Sequence, residues 1–259
     1  MTERKRINKQ FFNNPKKVYR SFKAKSIETK QIPKKEEVEA FWKNIWQGES
    51  EFNEKAEWLK DLKQTYCTNI EPKNYHINRT NLDKSVNKLQ LKKAPGEDKI
   101  TAFWYKKLSG YRDVLTFQFE QLLYDKNHLP QWFSTAHTTL LPKTEETHVA
   151  KNYRPIACLN IQYKLYTSCL NFFLTDHVLT NQVIAPEQAA GKKGVWGTTE
   201  QLLINKTILK EIKSMRRNLY TVWLDYKKAF DSITHTWLLQ ALKLTKLPEH
   251  LITAIKNLT

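Results

Sequence analysis

Residues 222–233 read VWLDYKKAFDSI, and with the three residues before them they contain the pattern that most constrains the fold. The run LYTVWL at 219–224 is rich in β-branched and aromatic residues, which are typical of strands, and it predicts a buried strand with Asp225 at its carboxyl end. Residues 226–231 then turn away, and Ser232 to Thr234 can cap a following apolar helix. A strand that leads into a helix favours a mixed α+β fold.

Asp225 is the candidate catalytic and metal-binding residue. Ligands of open sheets bind outside the carboxyl ends of strands. Mg²⁺ prefers oxygen ligands and often binds through one or two carboxylates together with substrate phosphates. Strand-end aspartates are common, so this residue alone does not establish a metal site, and Asp231 is more simply explained as a helix cap.

Two short extended runs precede this region, at residues 135–141 and 153–159. The first alternates in polarity and is closed by Pro142, so the two runs can form a hairpin. Lys143 and Arg154 would then lie near its turn, and two cations would face one gap.

The heptapeptide GKKGVWG at 191–197 contains three of the six glycines of the chain. Glycines allow backbone amides to approach phosphates closely, while lysines add charge and a tryptophan can stack on a base. A flexible basic turn is the competing interpretation, and the GxxxxGK[ST] phosphate loop is absent. Thr198 to Gln201 matches a capping box, which predicts a helix after the loop. The candidate nucleic-acid contacts are Gly191, Lys192, Lys193, Gly194 and Trp196.

The charge of the chain is concentrated at its N-terminus. The formal charge is +17, and residues 1–35 hold twelve Lys and Arg against two Glu. Such a segment suits a polyanion, because neutralised phosphates release condensed counterions. A solvated tail or a nuclear localisation signal explains it equally well. Residues 36–92 then show apolar stripes at helical spacing, which predict packed helices whose tryptophans belong to the core.

Several protein classes are disfavoured by composition. No uncharged apolar stretch approaches the roughly 20 residues of a membrane helix. The first ten residues have no apolar region behind their charges, so they do not resemble a secretory signal. Cys67, Cys158 and Cys169 show no CxxC spacing, which disfavours a disulfide framework and a zinc site and fits a reducing compartment. We therefore expect a nuclear or cytoplasmic protein that is not secreted and does not contact a membrane.

Five motifs follow one another along the chain: KAPGEDKIT (93–101), TTLLPK (138–143), NYRPIACLNIQYKLYTSCL (152–170), PEQAAGKKGVWGTTEQLL (186–203) and VWLDYKKAFDSI (222–233). In this order they resemble the motifs of reverse transcriptases, in particular the polymerases of non-long-terminal-repeat (LINE-type) retrotransposons. The form GKKGVWGTTEQLL is similar to the branch that carries a restriction-like endonuclease, which disfavours a group II intron maturase. The resemblance begins near residue 33 and reaches the last residue.

The resemblance implies roles for single residues. Asp225 matches the first palm aspartate, which binds Mg²⁺, and Phe230 matches the aromatic steric gate under the sugar of the incoming dNTP. Lys143 and Arg154 match finger residues that hold its triphosphate. Template RNA, primer DNA and dNTP are the implied ligands. Phosphoryl transfer depends mainly on positioning and charge neutralisation, which agrees with two cations and a carboxylate on opposite sides of one site.

The resemblance also implies a fold with four parts. We expect a basic tail over 1–35, an N-terminal helical extension over 36–92, reverse transcriptase fingers over 93–216 and the start of a truncated palm over 217–259. The fold class is thus α+β, with right-hand polymerase fingers and an incomplete palm.

The YxDD hairpin that supplies the second metal-binding aspartates in this family does not occur in the sequence. With one of two carboxylate sources missing, we expect the 259-residue polypeptide alone to show no polymerase activity. The alternative function is that of a non-enzymatic remnant that binds RNA or DNA. The LYTVWL strand would keep an open apolar edge, so self-association is expected.

Overall fold

The computed structural model describes residues 32–47, 53, 55–66, 70, 73–125, 129–144, 146–185, 187–188, 194–226 and 233–258. The chain divides into two compact units. The smaller unit comprises Met1–Phe41 and Pro142–Arg154, and the larger comprises Trp42–Leu141 and Pro155–Thr259. The basic tail lies almost entirely outside the described residues.

The described part of the chain is mainly helical, with one small sheet. Its strands are β1 (Ala136–Pro142) and β2 (Tyr153–Leu159), which are joined through a 3₁₀ turn at Ala150–Asn152. The helices are α1 (Lys35–Trp46), α2 (Glu57–Tyr66), α3 (Arg79–Lys88), α4 (Ala102–Lys107), α5 (Tyr111–Tyr124), α6 (Gln131–Ser134), α7 (Ile161–Thr180), α8 (Thr198–Ser214), α9 (His235–Leu244) and α10 (Glu249–Lys256). The predicted mixture of helices with a small antiparallel hairpin is therefore confirmed. None of these helices is long and apolar enough to cross a membrane.

The core of the larger unit lies where α3, α5, α7 and α10 pack together. Apolar residues are spread around α7 rather than along one stripe, which is typical of a helix buried on several sides. Its residues Leu165, Tyr166 and Cys169 are almost completely inaccessible, and they contact Leu82 and Phe119 in one cluster. The apolar run at 161–179 thus forms a buried helix.

Local sequence signals set several helix ends. Asn78 and Asn81 form a reciprocal capping box at the start of α3, which satisfies two backbone donors. Thr234 caps α9 by accepting a hydrogen bond from the Trp237 amide at 3.3 Å, as predicted for 232–234. The predicted capping box at Thr198 is wrong, because α8 has Gly197 as its N-cap and no side-chain cap bond.

The tryptophans of the N-terminal helices are only partly in the core. Trp42 is buried, whereas Trp46 and Trp58 are about half exposed. Trp46 rests on Trp42, with ring centroids 5.2 Å apart, and Trp58 meets Trp237 edge-on at 5.6 Å. The prediction of core tryptophans is therefore right for Trp42 and wrong for the other two.

An ion-pair network fastens α3 to the start of α5. Asp83 accepts hydrogen bonds from Arg79 at 3.1 Å and from Arg112 at 2.8 Å. Arg79 also pairs with Asp113, and Arg112 donates to the Tyr105 carbonyl at 3.0 Å. Burial acts to raise the pKa of Asp83, but the two guanidinium groups hold it below its usual value.

Candidate nucleotide and nucleic-acid interface

The tip of the β1–β2 hairpin is held by backbone and side-chain hydrogen bonds. The Lys143 amide donates to the Asn152 carbonyl at 2.7 Å. The buried Tyr153 donates its hydroxyl proton to the Thr147 carbonyl at 2.7 Å, and the Asn152 side chain donates to the Glu146 carbonyl at 3.1 Å. These bonds link the described residues at the two sides of the tip.

Both predicted phosphate-binding cations lie on this tip. Lys143 lies opposite Asn152, to whose carbonyl its amide donates, and Arg154 is two residues beyond Asn152. Arg154 is therefore the diagonal neighbour of Lys143, and such neighbours in a strand pair are roughly 7–8 Å apart. The two side chains are exposed, and no acidic side chain of the described residues pairs with either. The structure thus brings together the two cations that the sequence predicts near one turn.

Asp225 lies in a segment that is not a strand. Residues 218–226 have no regular secondary structure, and the side chains of Tyr220, Val222 and Leu224 are 91%, 83% and 81% exposed. The predicted buried LYTVWL strand is therefore wrong. An apolar run forms a buried strand only when a neighbouring strand and a packed layer accept it, and the described residues supply neither.

The described residues do not by themselves fit a magnesium ion. Asp225 is exposed. Throughout the described ranges, no group of three or more His, Cys, Asp or Glu side chains is arranged to hold a metal. Asp225 alone would supply at most part of the octahedral oxygen shell of Mg²⁺, so phosphates, waters or further carboxylates would have to complete it. Asp225 also belongs to the larger unit and the two tip cations to the smaller one, so their opposition across one site stays a prediction.

The described part of the glycine loop has the backbone that glycine favours. Gly194 has a φ of 84° and Gly197 a φ of 63°, a region that other residues enter only with strain. Between them Trp196 is 79% exposed, so its ring is accessible for stacking. Gly191, Lys192, Lys193 and the predicted steric gate Phe230 lie outside the described residues.

The sequence did not indicate the role of Asn160, which holds the KAPGEDKIT loop. Its side-chain amide donates to the Trp132 carbonyl at 2.9 Å, and its carbonyl oxygen accepts from the Asp98 amide at 3.3 Å. Asn160 is buried and directly precedes α7. The Pro-Gly pair at 95–96 marks a loop by local composition, but Asn160 is 62 residues from Asp98 along the chain, a separation that local patterns do not reveal.

Comparison with known proteins finds one family whose model matches the stretch that contains most of these residues. Residues 141–258 match the model of the family described as reverse transcriptase (RNA-dependent DNA polymerase). The matched range includes the hairpin tip with Lys143 and Arg154, the glycine loop and Asp225.

Individual relatives agree with this match. The chain is 28% identical over 216 residues to the RNA-directed DNA polymerase from mobile element jockey of Drosophila melanogaster, which covers 80% of this chain and 23% of that protein. It is 28% identical over 150 residues to the Pol polyprotein from retrotransposable element R2 of Popillia japonica, covering 58% of this chain and 20% of that protein. It is 26% identical over 171 residues to an uncharacterized 149 kDa protein of transposon TX1 of Xenopus laevis, covering 62% of this chain and 12% of that protein.

The chain thus spans less than a quarter of the length of these relatives. Their names all refer to mobile elements, and two of them refer to polymerases or Pol polyproteins. The sequence similarity of this chain is thus to the reverse transcriptase family over residues 141–258, and to proteins of retrotransposons and other mobile elements.

Proposed function

We propose that this chain forms the nucleotide- and template-binding part of an RNA-directed DNA polymerase that copies retrotransposon RNA from a DNA primer. The observation that carries the proposal is the hydrogen-bonded hairpin tip, which presents Lys143 and Arg154 without acidic partners in the described ranges and lies inside the region that matches the reverse transcriptase family. Two such cations can hold a triphosphate. The right-hand arrangement, with fingers over 93–216 and a palm beginning at 217, belongs to this proposal.

The remaining site residues follow the same assignment. Asp225 would contribute one carboxylate to a Mg²⁺ site whose other ligands the described residues do not provide. In that role the ion would neutralise charge on the transferred phosphoryl group. Phe230 would lie under the sugar, and the loop of Gly191, Lys192, Lys193, Gly194 and Trp196 would contact the template. We place the protein in a nuclear or cytoplasmic ribonucleoprotein.

The triphosphate assignment predicts a specific labelling pattern. A photoreactive azido-dUTP should label the 259-residue chain at the hairpin tip in Mg²⁺ buffer, because Lys143 and Arg154 are the cations placed there to hold phosphates. Lys143→Glu and Arg154→Glu should each reduce labelling about tenfold, as expected when a charged contact of roughly 1.4 kcal/mol is lost. Labelled peptides identified by mass spectrometry give the readout.

Lys151→Glu is the matched control, since Lys151 is an exposed cation on the same tip that matches no nucleotide-binding position. Equal loss of labelling in all three variants would show nonspecific attraction and would refute the assignment. The same preparation should not extend a primer on poly-rA, and measurable extension would refute the expectation that the YxDD carboxylates are required.

A non-enzymatic nucleic-acid-binding function is the second candidate. It is favoured by the net charge of +17 and by the exposure of Asp225 without a metal-type cluster among the described residues. In this case the chain should bind RNA with steep salt dependence and perform no dNTP-dependent chemistry.

The loop offers a test of this second function. Lys192→Glu combined with Lys193→Glu should weaken binding of a single-stranded RNA at low salt about tenfold, because two phosphate contacts are reversed in sign. Fluorescence anisotropy at 50 mM salt is the measurement. Unchanged affinity would mean that the loop is not the contact surface.

A further inference from the structure

A cavity of about 760 Å³ lies in the larger unit, outside the hairpin tip and the glycine loop. It is bounded by the extended residues 73–78, by the outer face of α3 and by the C-terminal half of α7. The Tyr75 ring stacks on Phe173 of α7 with centroids 5.1 Å apart, and the Tyr75 hydroxyl donates to Asp176 at 3.1 Å. Two buried, stacked rings therefore form one part of the cavity wall, whereas its lysines lie on the exposed part.

The cavity carries more positive charge than its acids neutralise. Its lining contains three lysines, Lys73, Lys84 and Lys88, and one acid, Asp176. Asp176 forms a salt bridge with Lys73, with a nitrogen–oxygen distance of 2.8 Å, and this bond holds the pKa of Asp176 below its usual value. Nowhere in the described ranges does an acidic side chain pair with Lys84 or Lys88. These two exposed ammonium groups are thus available to a ligand.

The surroundings of the two lysines are typical of a nucleic-acid surface. Lys84 and Lys88 are four residues apart on α3, so they lie on one face of the helix. The Lys88 ammonium lies 4.2 Å from the centroid of the Phe172 ring. The side-chain amides of Asn74 and Asn87 complete the lining with hydrogen-bond donors and acceptors. Charge, an aromatic side chain and amides are the groups that contact phosphates and unpaired bases.

We propose that this cavity binds a short single-stranded segment of nucleic acid, with Lys84 and Lys88 on adjacent phosphates and Phe172 beside a base. The site would be an additional contact to the RNA of the proposed function, on which this inference rests, and none of its residues belongs to the hairpin tip or the loop. An acidic peptide without aromatic residues could satisfy the lysines, but it would bring no ring to pack beside Phe172.

Charge reversal on α3 tests the proposal. The variant Lys84→Glu/Lys88→Glu should bind fluorescein-labelled oligo-rU about tenfold more weakly than the unmodified chain at 50 mM salt. The slope of log K against log salt should fall by about 1.4, since each phosphate contact in a single strand contributes about 0.7. Lys60→Glu/Lys63→Glu on α2 is the matched control, with two exposed lysines one turn apart, and it should retain the original slope.

Folding is checked separately with Lys84→Gln/Lys88→Met, which removes the charges but keeps aliphatic packing on Phe172. This variant should show an unchanged thermal transition by circular dichroism and a similar loss of slope. An unchanged salt slope in both α3 variants would overturn the proposed site. Photolabelling of the hairpin tip would be unaffected by that result, so failure of this site can be told apart from failure of the proposed function. Displacement of oligo-rU from the α3 site by poly-glutamate at equal charge concentration would overturn the nucleic-acid assignment in favour of a peptide.

Discussion

Gly96→Ala is expected to lower the free energy of unfolding by about 3 kcal/mol, the upper part of the range for overpacking a buried contact. A Cβ atom at residue 96 would lie 2.5 Å from the backbone nitrogen of Asn160 and 2.6 Å from its Cα, and closer still to its side-chain oxygen. Backbone atoms at the start of a buried helix cannot move aside cheaply. The loop must therefore separate from α7.

Separation of the loop would also break buried hydrogen bonds. The Asn160 side chain bonds both Asp98 of the loop and Trp132 of α6, and it is buried. A buried amide that loses its partners costs roughly 1–3 kcal/mol. Urea titration followed by circular dichroism measures the change as a shift in midpoint with an unchanged slope.

Gly110→Ala is the matched control for this prediction. Nothing lies within 4 Å of a Cβ at residue 110, and its φ of −62° and ψ of −32° suit alanine. This substitution should leave stability unchanged or raise it by up to about 1 kcal/mol. If the two alanine variants unfold at the same urea concentration, the close approach of Gly96 to Asn160 does not occur in solution.

Self-association through residues 219–226 is the second large expected effect. Val222 and Leu224 are more than four-fifths exposed, and Trp223 beside them is also exposed. Full burial of such a side chain contributes about 1.5–3 kcal/mol. The chain should therefore show a sedimentation coefficient that rises with concentration, and Val222→Lys/Leu224→Lys should raise the dissociation constant of the associated form about 100-fold.

Leu91→Lys/Leu108→Lys provides the comparison, because these leucines are half exposed but do not belong to an apolar run. Scattered exposed leucines are normal on protein surfaces, so this pair should leave the association unchanged. A single concentration-independent monomer for the unmodified chain would contradict the prediction. Equal loss of association in both double variants would show that added charge, rather than this segment, prevents it.

Helix positions were largely predictable because their signals are local. The apolar spacing in 161–179 and the cap at Thr234 involve residues within one or two turns of each other, and both are observed. The hairpin was equally predictable, since Pro142 ends one strand and only ten residues separate it from the start of the second. The tip cations Lys143 and Arg154 could be chosen for the same reason.

The predictions that failed depend on partners distant in the chain. The run LYTVWL has the composition of a buried strand, but composition does not supply the neighbouring strand that would bury it. Trp46 and Trp58 fit the apolar stripes of their helices, yet both side chains are about half exposed, because the neighbouring elements cover only part of each stripe. The cavity along α3 and α7 joins residues about a hundred positions apart, and spacing along the chain could not have revealed it.

The amino-acid sequence by itself determined the basic character of this protein, the order of its polymerase-type motifs and the positions of most of its helices, because charge, motif and helical period are properties of neighbouring residues. Only the tertiary structure decided that Asn160 holds the Gly96 loop, that Asp225 lies in an exposed irregular segment and that Lys84 and Lys88 line a cavity without acidic partners in the described ranges. Each of these depends on which surfaces of distant segments meet, and that is set by the packing of the whole core.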